Sequence, residues 1–311
     1  MRVISMFSGA GGLDLGLVQA GNEIVWANDI DKDAVETYRK NISDEIILGD
    51  ISEIDFSRIP DGDVAVGGFP CQGFSMANMK RRVDDERNLM YKYFLKMLVE
   101  KKPKYFIAEN VRGILSIGGG SVLKTILSDF QDAGYSVSVN KINMADYGVP
   151  QSRIRVVLLG TRDDLGDDFT LKIPSKQFSD KAEDNLPGWR SIKWALDHFP
   201  EPSSDCQYPN HIASSYKVSF RNFTGHRPTD PDKPSPTILA RGNGKGGVVA
   251  IPHYNGGRRL TVRESACIQT FPDDFEFVGK LNSCYRQIGN AVPVLFGKVL
   301  GEELKKLEGL S

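Results

Sequence analysis

Three short stretches carry residue types that do chemistry when brought together. Gly67-Gly68-Phe69-Pro70-Cys71-Gln72-Gly73-Phe74-Ser75 offers a thiol, Glu109-Asn110-Val111 a carboxyl, and Gln151-Ser152-Arg153-Ile154-Arg155 two guanidiniums. A free cysteine usually packs as a small hydrophobe. Cys71 has a different setting: Pro70 drives Phe69 out of the helical region, and the flanking glycines remove bulk where something must come close. The stretch reads as a strand, Val64-Ala65-Val66, that delivers a nucleophile to the mouth of a cleft. Glu109 ends the apolar run Tyr105-Phe106-Ile107-Ala108, where a carboxyl needs a function or a partner. In an extended Arg-Ile-Arg both arginines point one way, so Arg153 and Arg155 could serve a phosphate and a base edge, or form a surface salt-bridge pair.

A second group lies upstream. Ser8-Gly9-Ala10-Gly11-Gly12 joins a strand over residues 3–7 to a helix opening at Leu13. A glycine turn at the carboxyl end of a strand is where an α/β sheet brings a ligand's phosphate or carboxylate to a helix N-terminus. A dinucleotide fingerprint would want a third glycine where this chain has Asp14. Asp29 follows a strand over 23–27 and Asp50 a strand over 46–48. Two acids closing consecutive strands suit a nucleoside with no phosphate close by, although each alone could be a helix cap.

The elements that must position these residues alternate short apolar strands with amphipathic helices, the signature of a parallel α/β sheet. Helices are expected over 89–100 and 122–130, strands over 136–143 and 156–159, and one short helix over 192–196. A capping-box pattern at Thr261 and Glu264 opens a helix over 265–270, and a last amphipathic helix carries Leu295, Val299, Leu300, Leu304 and Leu307. The charged, aperiodic stretch 76–88 beside the thiol reads as a functional loop, and residues 162–258, rich in Pro, Gly, Ser and Asp, as a separate loop-rich unit.

The 311 residues, 40% hydrophobic and 25% charged, suffice for one large or two modest domains. No apolar run approaches the roughly 18 residues of a membrane helix, so no membrane partner is expected. The first residues run straight into a strand, and the four cysteines form no C-x-x-C pair. These features point to a cytoplasmic, reducing location with no disulfide framework and no metal. The net charge is −1, yet residues 172–263 hold 14 Lys and Arg against 8 Asp and Glu, and all four histidines. A nearly neutral protein with such a segment can present a basic face to a polyanion.

In order, Phe7-Ser8-Gly9-Ala10-Gly11-Gly12, Asn28-Asp29, Gly49-Asp50-Ile51, Gly68 through Ser75, Glu109-Asn110-Val111, Gln151 through Arg155, Arg263-Glu264 through Phe271-Pro272 and Gln287 through Val292 closely resemble the DNA cytosine-5 methyltransferases of the compact, prokaryotic restriction-modification type. The resemblance covers nearly the whole chain. It implies a Rossmann-like, S-adenosylmethionine-dependent methyltransferase sheet from residues 1–180 and 284–311. A smaller, loop-rich target-recognition domain with its hinge would occupy 181–283. Phe7 and Ile30 would flank the adenine of S-adenosyl-L-methionine, Asp29 would hold the ribose, Asp50 would take the adenine amino group, and Asn290 would approach from the returning C-terminal segment. The cofactor set extends to Gly9, Gly11, Gly12, Ile51, Pro70 and Val292, and the DNA contacts to Gln72, Ser75, Arg87 and Arg241. At Arg87-Asn88 the chain departs from the Arg-Gly of many relatives.

The acceptor would be a cytosine flipped out of double-stranded DNA, at a cost on the order of a few kcal/mol. Cytosine C5 is a poor nucleophile, so Cys71 would add to C6 as thiolate, and a free thiol with pKa near ~8.5 calls for a cationic neighbour. Protonated Glu109 would donate to ring N3, which needs a carboxyl pKa raised by burial. Arg155 would hold O2, and Arg153 would serve a phosphate or the loop. The enzyme would act as a monomer. An RNA-directed (tRNA) branch of the same family shares these motifs, and a catalytically silent DNA-binding module is the alternative of another class. Asp14 and the Pro-Cys-Gln setting disfavour a nicotinamide oxidoreductase.

Overall fold

The computed structural model describes residues 1–70, 90–181, 185–203, 206–214, 218, 228–240 and 251–310. Cys71, Gln72, Ser75, Arg87, Arg241 and the expected loop at 76–88 lie outside the described residues.

The first half of the chain lays down β1 (Arg2–Met6), α1 (Gly12–Gln19), β2 (Glu23–Asp29), α2 (Lys32–Asn41), β3 (Ile46–Leu48) and β4 (Val64–Gly67). It continues through α3 (Tyr91–Lys101), β5 (Tyr105–Val111), α4 (Ser121–Asp132), β6 (Tyr135–Asn143) and β7 (Ile154–Arg162). The seven strands form one sheet in the order β3-β2-β1-β4-β5-β7-β6. β1 to β5 pair in parallel. β7 runs antiparallel to both β5 and β6, which corrects the expectation of a wholly parallel sheet. The cause is the connection: residues 144–153 are too few for a crossover helix, so the chain leaving β6 must fold straight back beside it.

Both faces of the sheet are covered, which is why its inner strands read as continuous apolar runs. Successive residues point to opposite sides: Val3, Val64, Val66 and Ile107 pack with Leu17, Tyr38, Phe296 and Leu300 on one face. Ile4, Ala65, Phe106 and Leu158 pack with Phe94, Ile126 and Phe130 on the other. The last helix, α8 (Val294–Glu308), returns as expected and lies against α1. The two backbones meet so closely that a Cβ on Gly16 would sit 2.3 Å from the Val294 carbonyl oxygen.

A third apolar cluster joins α5 (Ile192–Leu196), α6 (Val262–Ile268) and α7 (Leu281–Asn290). Ile192, Leu196, Val262, Ala266, Phe271, Phe277 and Ile288 make it, together with Ala10 of the glycine turn and Val294 of α8. The boundary expected after residue 283 therefore falls inside α7. Thr261 Oγ1 accepts from Glu264 N at 3.1 Å and Glu264 Oε2 from Thr261 N at 2.8 Å, so the capping box forms and α6 starts at Val262, earlier than expected. α7, a helix not expected from the sequence, buries Ser283, Cys284, Tyr285, Gln287, Ile288 and Gly289 along one side. No helix among the described residues is long and apolar enough to cross a membrane.

Candidate active site

The carboxyl ends of β1, β2 and β3 carry the first half of the site. Phe7, directly after β1, has φ of 55°, a left-handed conformation rare for an aromatic residue and of the kind that persists where the surroundings demand it. Gly11 caps α1 with φ of 81°, and a Cβ there would meet the Tyr38 ring at 2.7 Å. A Cβ on Gly12 would lie 2.2 Å from the Val292 carbonyl oxygen, so the C-terminal segment backs directly onto the turn. Exposed Asn290 stands two residues before Val292, which is buried.

Asp29 Oδ2 accepts from Gly9 N at 2.7 Å and Oδ1 from Asp31 N at 2.8 Å. Burial raises its carboxyl pKa, and these amide hydrogen bonds counter part of the rise. Asp50 caps a one-turn helix, accepting from Ser52 N at 2.9 Å and Ser52 Oγ at 2.8 Å, and those bonds hold its pKa below the ordinary value. Ile51 is buried beside it, whereas Ile30 is 66% exposed, an apolar side chain open to solvent just past Asp29. A half-buried Phe7, an exposed Ile30, a carboxylate tied to the glycine turn and open space at the Cβ position of Gly9 suit a flat base on a ribose.

The second half lies at the ends of β4, β5 and β7. Phe69 is buried against Tyr91 and Phe94, with ring centroids 6.3 and 6.0 Å away, and its carbonyl accepts from Asn110 Nδ2 at 3.2 Å. Half-buried Pro70 follows, so the approach to Cys71 is anchored from two sides. A Cβ on Gly68 would lie 3.7 Å from Glu109 Oε2, which turns the Glu109 carboxyl toward the same backbone. Arg155 Nε stands 2.8 Å from Glu109 Oε1, with both side chains nearly buried. The antiparallel β7 thus brings a cation to that carboxyl.

Arg153 is a correction. Its side chain is 1% exposed, and its guanidinium donates to the carbonyls of Ile238, Gly289 and Ala291, each at 3.0 Å. It ties β7 to α7 and to the segment at Ile238 and is closed to a phosphate. Gln151, read only as part of the motif, does related work: Nε2 donates to Gln269 Oε1 at 2.8 Å and Oε1 accepts from Ile238 N at 2.9 Å. The basic surplus of 172–263 is also partly internal. Arg263 is fully buried and donates to the carbonyls of Asp273 and Phe275, and Arg258 forks onto Glu264 at 2.8 and 2.9 Å.

Sequence reasoning passed over Ser5 and Tyr38, read Ser8 only as part of the glycine turn, and saw Asp14 only as a missing glycine. Asp14 is buried in the first turn of α1, with Ser5 Oγ donating to Oδ1 at 2.9 Å and Tyr38 OH to Oδ2 at 2.8 Å. Burial pushes its pKa up to about 6. The signal available was an acid within a helix turn otherwise made of Gly and Leu.

A seven-stranded sheet with one reversed strand, a glycine turn and two acid-ended strands on one edge defines an α/β methyltransferase of the S-adenosylmethionine-dependent type. The family C-5 cytosine-specific DNA methylase matches residues 1–306, and the chain belongs to it: the protein is a DNA cytosine-5 methyltransferase. It is 39% identical to the Type II methyltransferase M.NgoFVII of Neisseria gonorrhoeae, over 94% of this chain and 83% of that one. It is 37% identical to the Type II methyltransferase M.MthTI of Methanothermobacter thermautotrophicus, over 100% and 99%. Among solved structures, a candidate DNA modification methyltransferase encoded within an E. coli prophage superposes with a TM-score of 0.75 at 25% identity, covering 99% of both chains. S. pombe Dnmt2 shares the fold, with a TM-score of 0.70 at 22% identity over 100% and 99%.

Proposed function

We propose that the chain methylates C5 of a cytosine flipped out of double-stranded DNA, with Cys71 as the nucleophile and Glu109 and Arg155 as its partners on the base. The observation that carries this reading is the convergence at the β4 and β5 ends: Asn110 holds the Phe69 carbonyl, and Glu109 Oε2 faces Gly68, three residues before Cys71. Addition of the Cys71 sulfur to C6 turns the ring into an enamine. The electron pair moves toward N3, where Glu109 supplies a proton, and Arg155 holds O2. After transfer a base takes the C5 proton, the sulfur departs as thiolate and N3 returns its proton to Glu109, which restores the ring.

S-adenosyl-L-methionine would be held by Phe7, Gly9, Gly11, Gly12, Asp29, Ile30, Asp50, Ile51, Pro70, Asn290 and Val292, and it supplies an electrophilic methyl group. The pairing of Asp29 with the Gly9 amide supports that assignment. Gln72, Ser75, Arg87 and Arg241 are the proposed DNA contacts. Residues 181–283 are the proposed target-recognition unit and its hinge in an enzyme that acts as a monomer. Cys71→Ser tests the reading. It should abolish methyl transfer to duplex DNA and the stable adduct with duplex DNA containing 5-fluorocytosine, and leave S-adenosylhomocysteine binding nearly unchanged. Retained turnover removes the nucleophile assignment, and label appearing on tRNA alone replaces DNA by RNA as acceptor.

A further inference from the structure

Asp14 occupies the third position of α1, where a dinucleotide-binding turn carries glycine. It is the centre of a hydrogen-bonded chain that runs beneath the glycine turn. Ser8 Oγ donates to Ser5 Oγ at 2.9 Å, Ser5 Oγ to Asp14 Oδ1 at 2.9 Å, and Tyr38 OH to Asp14 Oδ2 at 2.8 Å. The chain thus joins β1, the turn, α1 and α2. One end, Ser8, is half-buried in the turn itself; the other, Tyr38, fills the space behind Gly11.

A buried carboxylate is costly, and here two hydroxyl donors and the positive end of α1 offset part of that cost. An alanine would pack beneath the turn without that cost, but it would leave Ser5 and Tyr38 without their acceptor. An ionised carboxylate accepts at both oxygens and donates at neither, so it holds both hydroxyls in one orientation at once. Ser8 is also fixed by its backbone: its N–H donates to the Asn28 carbonyl at 3.0 Å and its carbonyl accepts from Gly11 N at 3.0 Å. The next amide, Gly9 N–H, is the one that binds Asp29.

We propose that Asp14 is a positioning residue for the methyl donor: through Ser5, Ser8 and Tyr38 it fixes the turn that aims the Gly9 amide at Asp29, and so sets Asp29 for the ribose. The proposal rests on the assignment of this turn to S-adenosyl-L-methionine. A negative charge under the turn also opposes a diphosphate at the same place, in keeping with a donor that carries none.

The test compares wild type with Asp14→Asn, Ser5→Ala and Asp29→Ala. Its readouts are the Kd for S-adenosylhomocysteine by calorimetry, and KM for the methyl donor and kcat on duplex DNA. Asp14→Asn keeps the shape but puts an NH2 donor in place of one of the two acceptor oxygens, against one of the two hydroxyl donors. Asp14→Asn and Ser5→Ala should each raise Kd and KM about 10-fold, the size of one lost hydrogen bond to a charged group, while kcat at saturating donor stays within about twofold. Ser5→Ala carries the test alone if the Asn variant does not fold. Unchanged Kd in the folded variants while Asp29→Ala weakens binding overturns the role of Asp14, as does a fall in kcat with KM unchanged. Unchanged Kd in Asp29→Ala overturns the pocket assignment, and the proposal with it.

Discussion

Arg155 Nε lies 2.8 Å from Glu109 Oε1, across an antiparallel pair in which Arg155 is opposite Val111 and Glu109 opposite Val157. Residues diagonal to each other in such a pair project from the same face, within reach of long side chains. The reversed direction of β7 is therefore what delivers a guanidinium to the carboxyl proposed to protonate the base.

Removing either member should cost rate rather than cofactor affinity. Glu109→Gln and Arg155→Ala are each expected to lower the single-turnover methylation rate by about 10² to 10⁴, the usual range for a positioned acid. Arg155→Lys should recover only part, since an ammonium cannot reproduce the planar fork. Rapid-quench assays with saturating donor measure this, and Kd for S-adenosylhomocysteine should stay near wild type.

Arg153→Ala should behave as a folding mutation. It strands three buried carbonyls that the guanidinium now binds, and a loss of about 3 kcal/mol or more is expected in urea unfolding. The salt dependence of DNA binding by the folded fraction should keep its slope, because no phosphate contact is lost.

Gly12→Ala should separate the two ends of the chain. The added methyl would fall 2.2 Å from the Val292 carbonyl oxygen, so α1 and the segment before α8 must move apart. A lowered Tm, with S-adenosylhomocysteine affinity reduced more than 10-fold, is the expected result by thermal shift and calorimetry.

Asp14 predicts a pH dependence of stability. Its pKa is about 6 in the folded chain against an ordinary 3.8, so between those values the folded state holds the extra proton. Its contribution is then complete below about pH 4 and lost as pH rises through 6. A shift of about two units corresponds to about 3 kcal/mol. Asp14→Asn does not titrate, so in urea titrations the stability of wild type relative to the Asn variant should fall by about that amount between pH 4 and pH 7.

Much of the sheet was legible because buried strands are short apolar runs and their carboxyl ends carry the informative residues: Phe7, Asp29, Glu109. Strand direction was not legible, since it depends on the brevity of the link between β6 and β7 and on which neighbour β7 finds. The two arginines show the limit most clearly. Arg153 and Arg155 have the same residue type and the same parity, yet one meets carbonyls 85, 136 and 138 residues away in the chain and the other meets a carboxylate on the adjacent strand. Local spacing holds no information on contacts that remote. Asp14 was visible but misread, because its donors come from β1 and α2 rather than from its own helix.

The C-terminal segment backs the glycine turn through Val292 against Gly12, and Arg286 of α7 ties it to the start of α2, its Nη2 2.7 Å from Asp31 Oδ2. The opening and the backing of the proposed nucleoside pocket thus lie far apart in the chain, so affinity for the methyl donor should report on the docking of α7 and α8 against the sheet as well as on the turn itself.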